Sequence, residues 1–138
     1  MTPTLVPELI VTDLARSLSF YRDLLGFAIR YERPEDRFVY LARQGAAIML
    51  EQPHDQQRLW PNAELVHPFG RGMNLEIGVD NVDQLHAAVV EAGVNIFLPL
   101  EETWYRRDID EIGVRQFAVQ DPDGYLIRLS QDIATRPA

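Results

Sequence analysis

Three glutamates and one arginine stand where strand alternation brings them to matching faces: Glu8 in "ELIV", Glu51 at the end of "AAIMLE", Glu76 in "EIGV" and Arg128 in "LIRLS". Carboxylates grouped in this way can pair with an arginine, receive a cationic ligand or offer oxygen ligands to a hard divalent ion. The arginine itself stays protonated and only donates. Covering either charge on a sheet requires a partner for it. Histidine, the usual acid–base and metal residue, lies elsewhere. His54 and His67 fall in a proline-rich stretch and His86 on the outer side of a predicted helix, and all three are expected at the surface. The chain has no cysteine, so disulfides, thiolate catalysis and Cys-ligated metals are excluded. It has no convincing Ser/His/Asp arrangement, phosphate-cradling glycine loop or nucleotide fingerprint.

The elements that must position these residues come in two copies. "VTDLARSLSFYRDLLGF" (residues 11–27) aligns with "VDNVDQLHAAVVEAGV" (79–94). Each copy opens on a capping candidate, Asp13 or Asn81, and closes on a glycine, Gly26 or Gly93. Leu14, Leu18, Tyr21 and Leu25 form one helical stripe, and Val82, Leu85, Val89 and Ala92 the other. "FVYLARQGAAIMLE" (38–51) aligns with "FAVQDPDGYLIRLS" (117–130) at a constant offset. Each half therefore reads strand, helix, three strands. Strands are expected near 8–11, 28–33, 38–42 and 46–51, then 76–79, 95–98, 115–119 and 125–130. Residues 101–113 read as a loop or an irregular strand excursion. The whole chain is taken as one domain, with module one at 5–52, a linker at 53–71 and module two at 72–132.

Alternation assigns the faces. Leu9, Val11, Ile48, Leu50, Leu75, Ile77, Ile127 and Leu129 make a uniformly aliphatic side suited to packing under a helix. The other side carries Val6, Glu8, Ile10, Ala47, Met49, Glu51, Asn74, Glu76, Gly78, Leu126, Arg128 and Ser130. Such a mixed face, backed by helices, is expected to curve around a ligand pocket. Trp60, Phe69, Trp104 and Tyr105 fall in the linker and the late loop, where aromatic rings either wall a pocket or pin the loop down. Tyr40 and Phe38 line the pocket floor in one register.

Composition limits the partners. Net charge is −8 over 138 residues, which argues against nucleic acid and anionic membranes. No apolar run approaches a membrane span, and the start lacks the pattern of a signal peptide, so a cytoplasmic location is expected.

The repeat, with "VTDLARSLSFYRDLLGF" and "QFAVQDPDGYLIRL" as its most specific pieces, resembles the vicinal oxygen chelate superfamily of glyoxalase I, extradiol dioxygenases and bleomycin-resistance proteins. The resemblance implies an α+β fold of two tandem βαβββ modules, forming an eight-stranded cup-shaped incomplete barrel with helices outside. It places the family's metal ligands at Val6, Met49, Asn74 and Arg128, none of which suits a hard divalent ion. The resemblance is closest to the bleomycin-resistance branch. It implies a homodimer that binds a small molecule, a bleomycin-like cationic glycopeptide antibiotic, and sequesters it without a metal or other cofactor and without a catalytic residue. The expected ligand contacts are Glu8, Tyr40, Met49, Glu51, Trp60, Asn74, Glu76, Trp104, Tyr105 and Arg128. The competing expectation is a divalent-metal-dependent lyase, isomerase or dioxygenase whose metal has shifted onto the glutamates.

Overall fold

Each copy of the repeat folds into a four-stranded mixed sheet with a helix, in a computed structural model that describes residues 3–54 and 60–138. The chain divides into two compact units, Met1–Phe69 and Gly70–Ala138. The first holds β1 (Glu8–Ile10), α1 (Leu14–Leu18), β2 (Ala28–Arg33), β3 (Phe38–Arg43) and β4 (Ala46–Glu51), in sheet order β1-β4-β3-β2. The second holds β5 (Asn74–Gly78), α2 (Val82–Glu91), β6 (Ile96–Arg107), β7 (Asp110–Gln120) and β8 (Leu126–Pro137), in order β5-β8-β7-β6. The α+β class and the two βαβββ modules are as the sequence implies. Of the expected linker, residues 55–59 lie outside the described part. No helix is long and apolar enough to cross a membrane among the described residues.

In each unit the first strand pairs in parallel with the last, and the other pairings are antiparallel. Both predicted caps form: Asp13 accepts from the Arg16 amide at 3.2 Å and Asn81 from the Gln84 amide at 3.1 Å. Two further contacts repeat between the modules. The Gln52 side chain accepts from the Leu14 amide at 2.8 Å, and the Gln131 side chain from the Val82 amide at 3.0 Å. The residue following β4, and its counterpart in β8, thus satisfies a donor that the helix start leaves open.

The aliphatic side is the buried one. In the first unit Leu9, Val11, Ile48 and Leu50 are buried with Val39 and Leu41 of β3, beneath Phe20, Tyr21 and Leu25. The helix continues beyond α1 as a π-helical segment, Ser19–Leu24, which sets the Tyr21 ring edge-on against both Phe20 and Phe27. In the second unit Ile77, Ile127 and Leu129 are buried with Val82, Val89 and Phe117, while Leu75 is only half-buried and Ala92 is exposed. His86 departs from its expected surface place. It is half-buried, with its ring edge-on to Phe117 at 5.0 Å, so it sits on the packed side of α2.

Residues 101–113 are strand rather than loop, the second of the two expected readings. β6 and β7 run as one long hairpin that turns at Asp108 and Ile109, and β8 extends alongside to Pro137. Register shifts between Ile96 and Leu98 and between Leu98 and Glu101 break the period-two pattern. The expected strand at 95–98 therefore does not read on in one alternation into 101–107.

Candidate functional site

The mixed face of the first sheet brings together an acidic pair and an aromatic strip. Register places Tyr40 beside Met49 and Glu8 beside Met49, so Tyr40, Met49 and Glu8 form one row; Phe38, Glu51 and Ile10 form the next. Tyr31 of β2 lies opposite Tyr40, and Arg33 opposite Phe38. The Tyr31 and Tyr40 rings stack at 4.9 Å and 16°. The Arg33 guanidinium lies 3.9 Å from the centre of the Phe38 ring, a cation–π contact, while its Nε donates to Asp36 at 3.1 Å. Phe38, Tyr40 and Ala47 are buried, with Val6 and Met49 packed against them. Among the described residues the Tyr40 hydroxyl is enclosed with no hydrogen-bond partner, a condition costing about 1–3 kcal/mol.

Glu8 and Glu51 are hydrogen-bonded through their carboxyl groups, a pairing the sequence did not suggest. Burial pushes the Glu8 carboxyl above the usual carboxylate range, the Glu51 carboxylate and its hydrogen bond push it the same way, and Arg33 opposes them. The folded state therefore holds this proton more tightly than the unfolded chain does. That contribution to stability is complete below the ordinary glutamate range and is lost as pH rises through the raised value. Glu8→Gln is expected to remove that loss. Urea midpoints of variant and parent, taken from pH 4 to 8, should diverge in the variant's favour as pH rises; parallel curves would show that the carboxyl pair does not hold a proton.

The second sheet supplies partners for Arg128 within its own module. Arg128 lies directly opposite Glu76 in the parallel register, and its Nη2 donates to Glu76 Oε2 at 2.9 Å. Its Nε donates to Asn74 Oδ1 at 3.3 Å and its Nη1 to Gln116 Oε1 at 3.1 Å. Gln116 Nε2 in turn donates to the Tyr105 hydroxyl at 2.8 Å. Glu76 is thus the glutamate that meets Arg128, a choice the sequence left open among three. Gln116 was missed; the signal was its place in "RQFAVQ", two residues from Ala118 on the face Arg128 shares. Gln116 is 2% exposed. Arg128→Met would strand its carbonyl oxygen, so a loss of about 1–3 kcal/mol is expected, with little of it from the half-exposed Glu76 pair. A chemical-denaturation loss below about 0.5 kcal/mol would show that Gln116 finds another donor.

The remaining predicted residues scatter. Trp104 lies over Gly113 on the opposite side of β6 from Tyr105, and the Arg136 guanidinium covers its ring at 3.9 Å. Arg136 is held by Glu111 at 2.7 Å. Trp60 is 68% exposed.

The positions that the resemblance assigns to metal ligands do not fit a metal. Val6 and Met49 belong to the apolar cluster, Asn74 Oδ1 already accepts from Arg128, and Arg128 itself is a fixed cation. Among the described residues, no three His, Asp or Glu side chains gather closely enough to hold an ion.

The family model described as "Glyoxalase/Bleomycin resistance protein/Dioxygenase superfamily" matches residues 4–129. The chain is 30% identical over 137 residues to a bleomycin resistance protein of Geobacillus stearothermophilus, covering 93% of this chain and 96% of that one. A bleomycin resistance protein of Staphylococcus aureus matches at the same identity and the same coverage. Among solved structures, TioX from Micromonospora sp. ML1 superposes with a TM-score of 0.69 at 21% identity, covering 94% of this chain and 98% of TioX, a likeness of fold.

Proposed function

The chain belongs to the glyoxalase/bleomycin resistance protein/dioxygenase superfamily, and from that premise we propose that it sequesters a bleomycin-like cationic antibiotic, binding it without a metal ion and leaving it unchanged. The observation that carries this reading is the state of the metal-ligand positions. Two are packed apolar side chains, and the other two are an amide and an arginine bonded to each other. A superfamily chain so equipped keeps a binding surface and lacks the Lewis acid on which its enzymatic relatives depend. The mixed face of the first sheet suits a cationic ligand with flat groups through Glu8, Glu51 and Tyr40, whereas on the second sheet Glu76 is already paired with Arg128. We further propose that the protein acts in the cytoplasm as a homodimer, the latter as the resemblance implies. Light scattering should then give the mass of two chains rather than 15.8 kDa.

The test is metal content followed by ligand titration. Purified protein, exposed to Mg, Mn, Fe, Ni and Zn and then desalted, should retain almost no ion. Bleomycin should then perturb the fluorescence of Trp60 and Trp104 saturably. One tightly held ion per chain would overturn the proposal in favour of a lyase, isomerase or dioxygenase with a glutamate-held metal. A flat titration would remove bleomycin-type drugs as the ligand.

A further inference from the structure

The mixed face of the first module carries one of the chain's own cations against an aromatic ring. Arg33 presents a flat, permanent cation to that face, with its guanidinium 3.9 Å from the centre of the Phe38 ring. The Tyr31–Tyr40 stack adjoins it, Tyr31 being 50% exposed. Arg33 also opposes the upward push on the Glu8 carboxyl, which places its charge within electrostatic reach of Glu8. Its anchorage is light: its ion pair among the described residues, to Asp36 at 3.1 Å, joins side chains 46% and 43% exposed. The Tyr40 hydroxyl, in a side chain 5% exposed, stands in the Glu8 row without a hydrogen-bond partner among the described residues. The face thus combines an aromatic platform, a carboxyl pair opposite it, an unsatisfied hydroxyl and a displaceable planar cation.

We propose that this face is a subsite for an aromatic ligand bearing an amine or guanidinium group, and that Arg33 is a resident competitor which the ligand's cation displaces from Phe38. The proposal rests on the binding reading above and deepens it by naming the chemistry taken at one place. The ligand's ring continues the Tyr31 stack, and its cation takes over the place above the Phe38 ring, within electrostatic reach of Glu8. Asp36 keeps Arg33 when it leaves the ring, so its charge stays paired. Arg37, next to Phe38 in sequence, donates to the Pro53 carbonyl at 3.4 Å.

The experiment uses three probes on the full chain, read by NMR shift titration: tryptamine, the uncharged indole-3-acetamide, and bleomycin. Tryptamine should bind at least roughly fivefold more tightly than indole-3-acetamide. Arg33→Ala should raise tryptamine affinity about threefold or more, because the competitor is gone, while Tyr31→Ala and Glu8→Gln lower it. Equal binding of the charged and uncharged probes, or weaker tryptamine binding in Arg33→Ala, would overturn the proposal. Both Tyr31 and Arg33 are exposed, so their replacement leaves the fold in place. Bleomycin separates the two readings. If tryptamine behaves as described and bleomycin does not bind, the subsite stands and sequestration of that drug falls. If bleomycin binds with an affinity untouched by Arg33→Ala, Tyr31→Ala and Glu8→Gln, sequestration stands and the subsite falls.

Discussion

Phe117→Ala is expected to destabilise the protein by about 3–5 kcal/mol and to lower its melting midpoint by roughly 10–15 °C. The side chain is fully buried at the centre of β7, opposite Leu129 and against the edge-on ring of His86. Removing it leaves a cavity walled by regular elements that cannot close on it. Its neighbours in sequence, Gln116 and Ala118, point to the opposite face, toward Arg128. Phe117→Leu should therefore recover most of the stability. Any ligand affinity lost in the alanine variant should return with it. A thermal and urea comparison of the two variants is sufficient. A loss below about 1.5 kcal/mol in the alanine variant would mean that the second module's core lies elsewhere.

Gly70→Ala should rank next, at about 2–4 kcal/mol. Gly70 has φ +70°, a left-handed backbone that costs an ordinary residue about 1 kcal/mol. An added Cβ would also lie 2.6 Å from Cδ1 of Tyr125, well inside contact distance. The Tyr125 ring has little freedom to retreat. The residue is 9% exposed, its amide donates to Asp121 Oδ1 at 2.9 Å, and its carbonyl accepts from the Asp121 amide at 2.9 Å. Overpacking against a fixed ring accounts for the remaining 1–3 kcal/mol or so. Gly72 provides the control. It has φ +87° with nothing within 4 Å of the added atom, so Gly72→Ala should show the backbone cost alone. Equal losses in the two variants would show that the Tyr125 contact is relieved without cost.

What the sequence disclosed was whatever depends on local periodicity. The caps at Asp13 and Asn81, the closing glycines and the aliphatic faces of β4 and β8 all follow from spacing within a dozen residues, and all appear as read. The pairing of the charges was not legible, because it depends on register between strands far apart in the chain. Parallel register sets Glu76 against Arg128 but Ile10 against Glu51, so one glutamate meets the arginine and another meets a second glutamate. Trp104 could not be placed either. Its environment consists of Gly113 across the hairpin and Arg136 one strand further, and bulges in β6 hide the strand that carries it. His86 was misplaced because an imidazole ring packs edge-on against an aromatic ring as readily as it faces water.

The glutamine contacts at the two helix starts also bear on how the chain reaches its fold. They join residues 38 and 49 positions apart, Leu14 to Gln52 and Val82 to Gln131, alongside the parallel strand pairs that close each module. Bringing such distant ends together is opposed by loop-closure entropy until the contacts reward it, whereas the β6–β7 hairpin is local and forms on the microsecond scale. Within each module the hairpins should therefore assemble early, and the arrival of the first strand should limit the rate. Weakening Gln52 or Gln131 would then slow the last step of folding more than it loosens the finished hairpins. In native-state hydrogen exchange, β1, a three-residue edge strand, should be the first element of its module to lose protection.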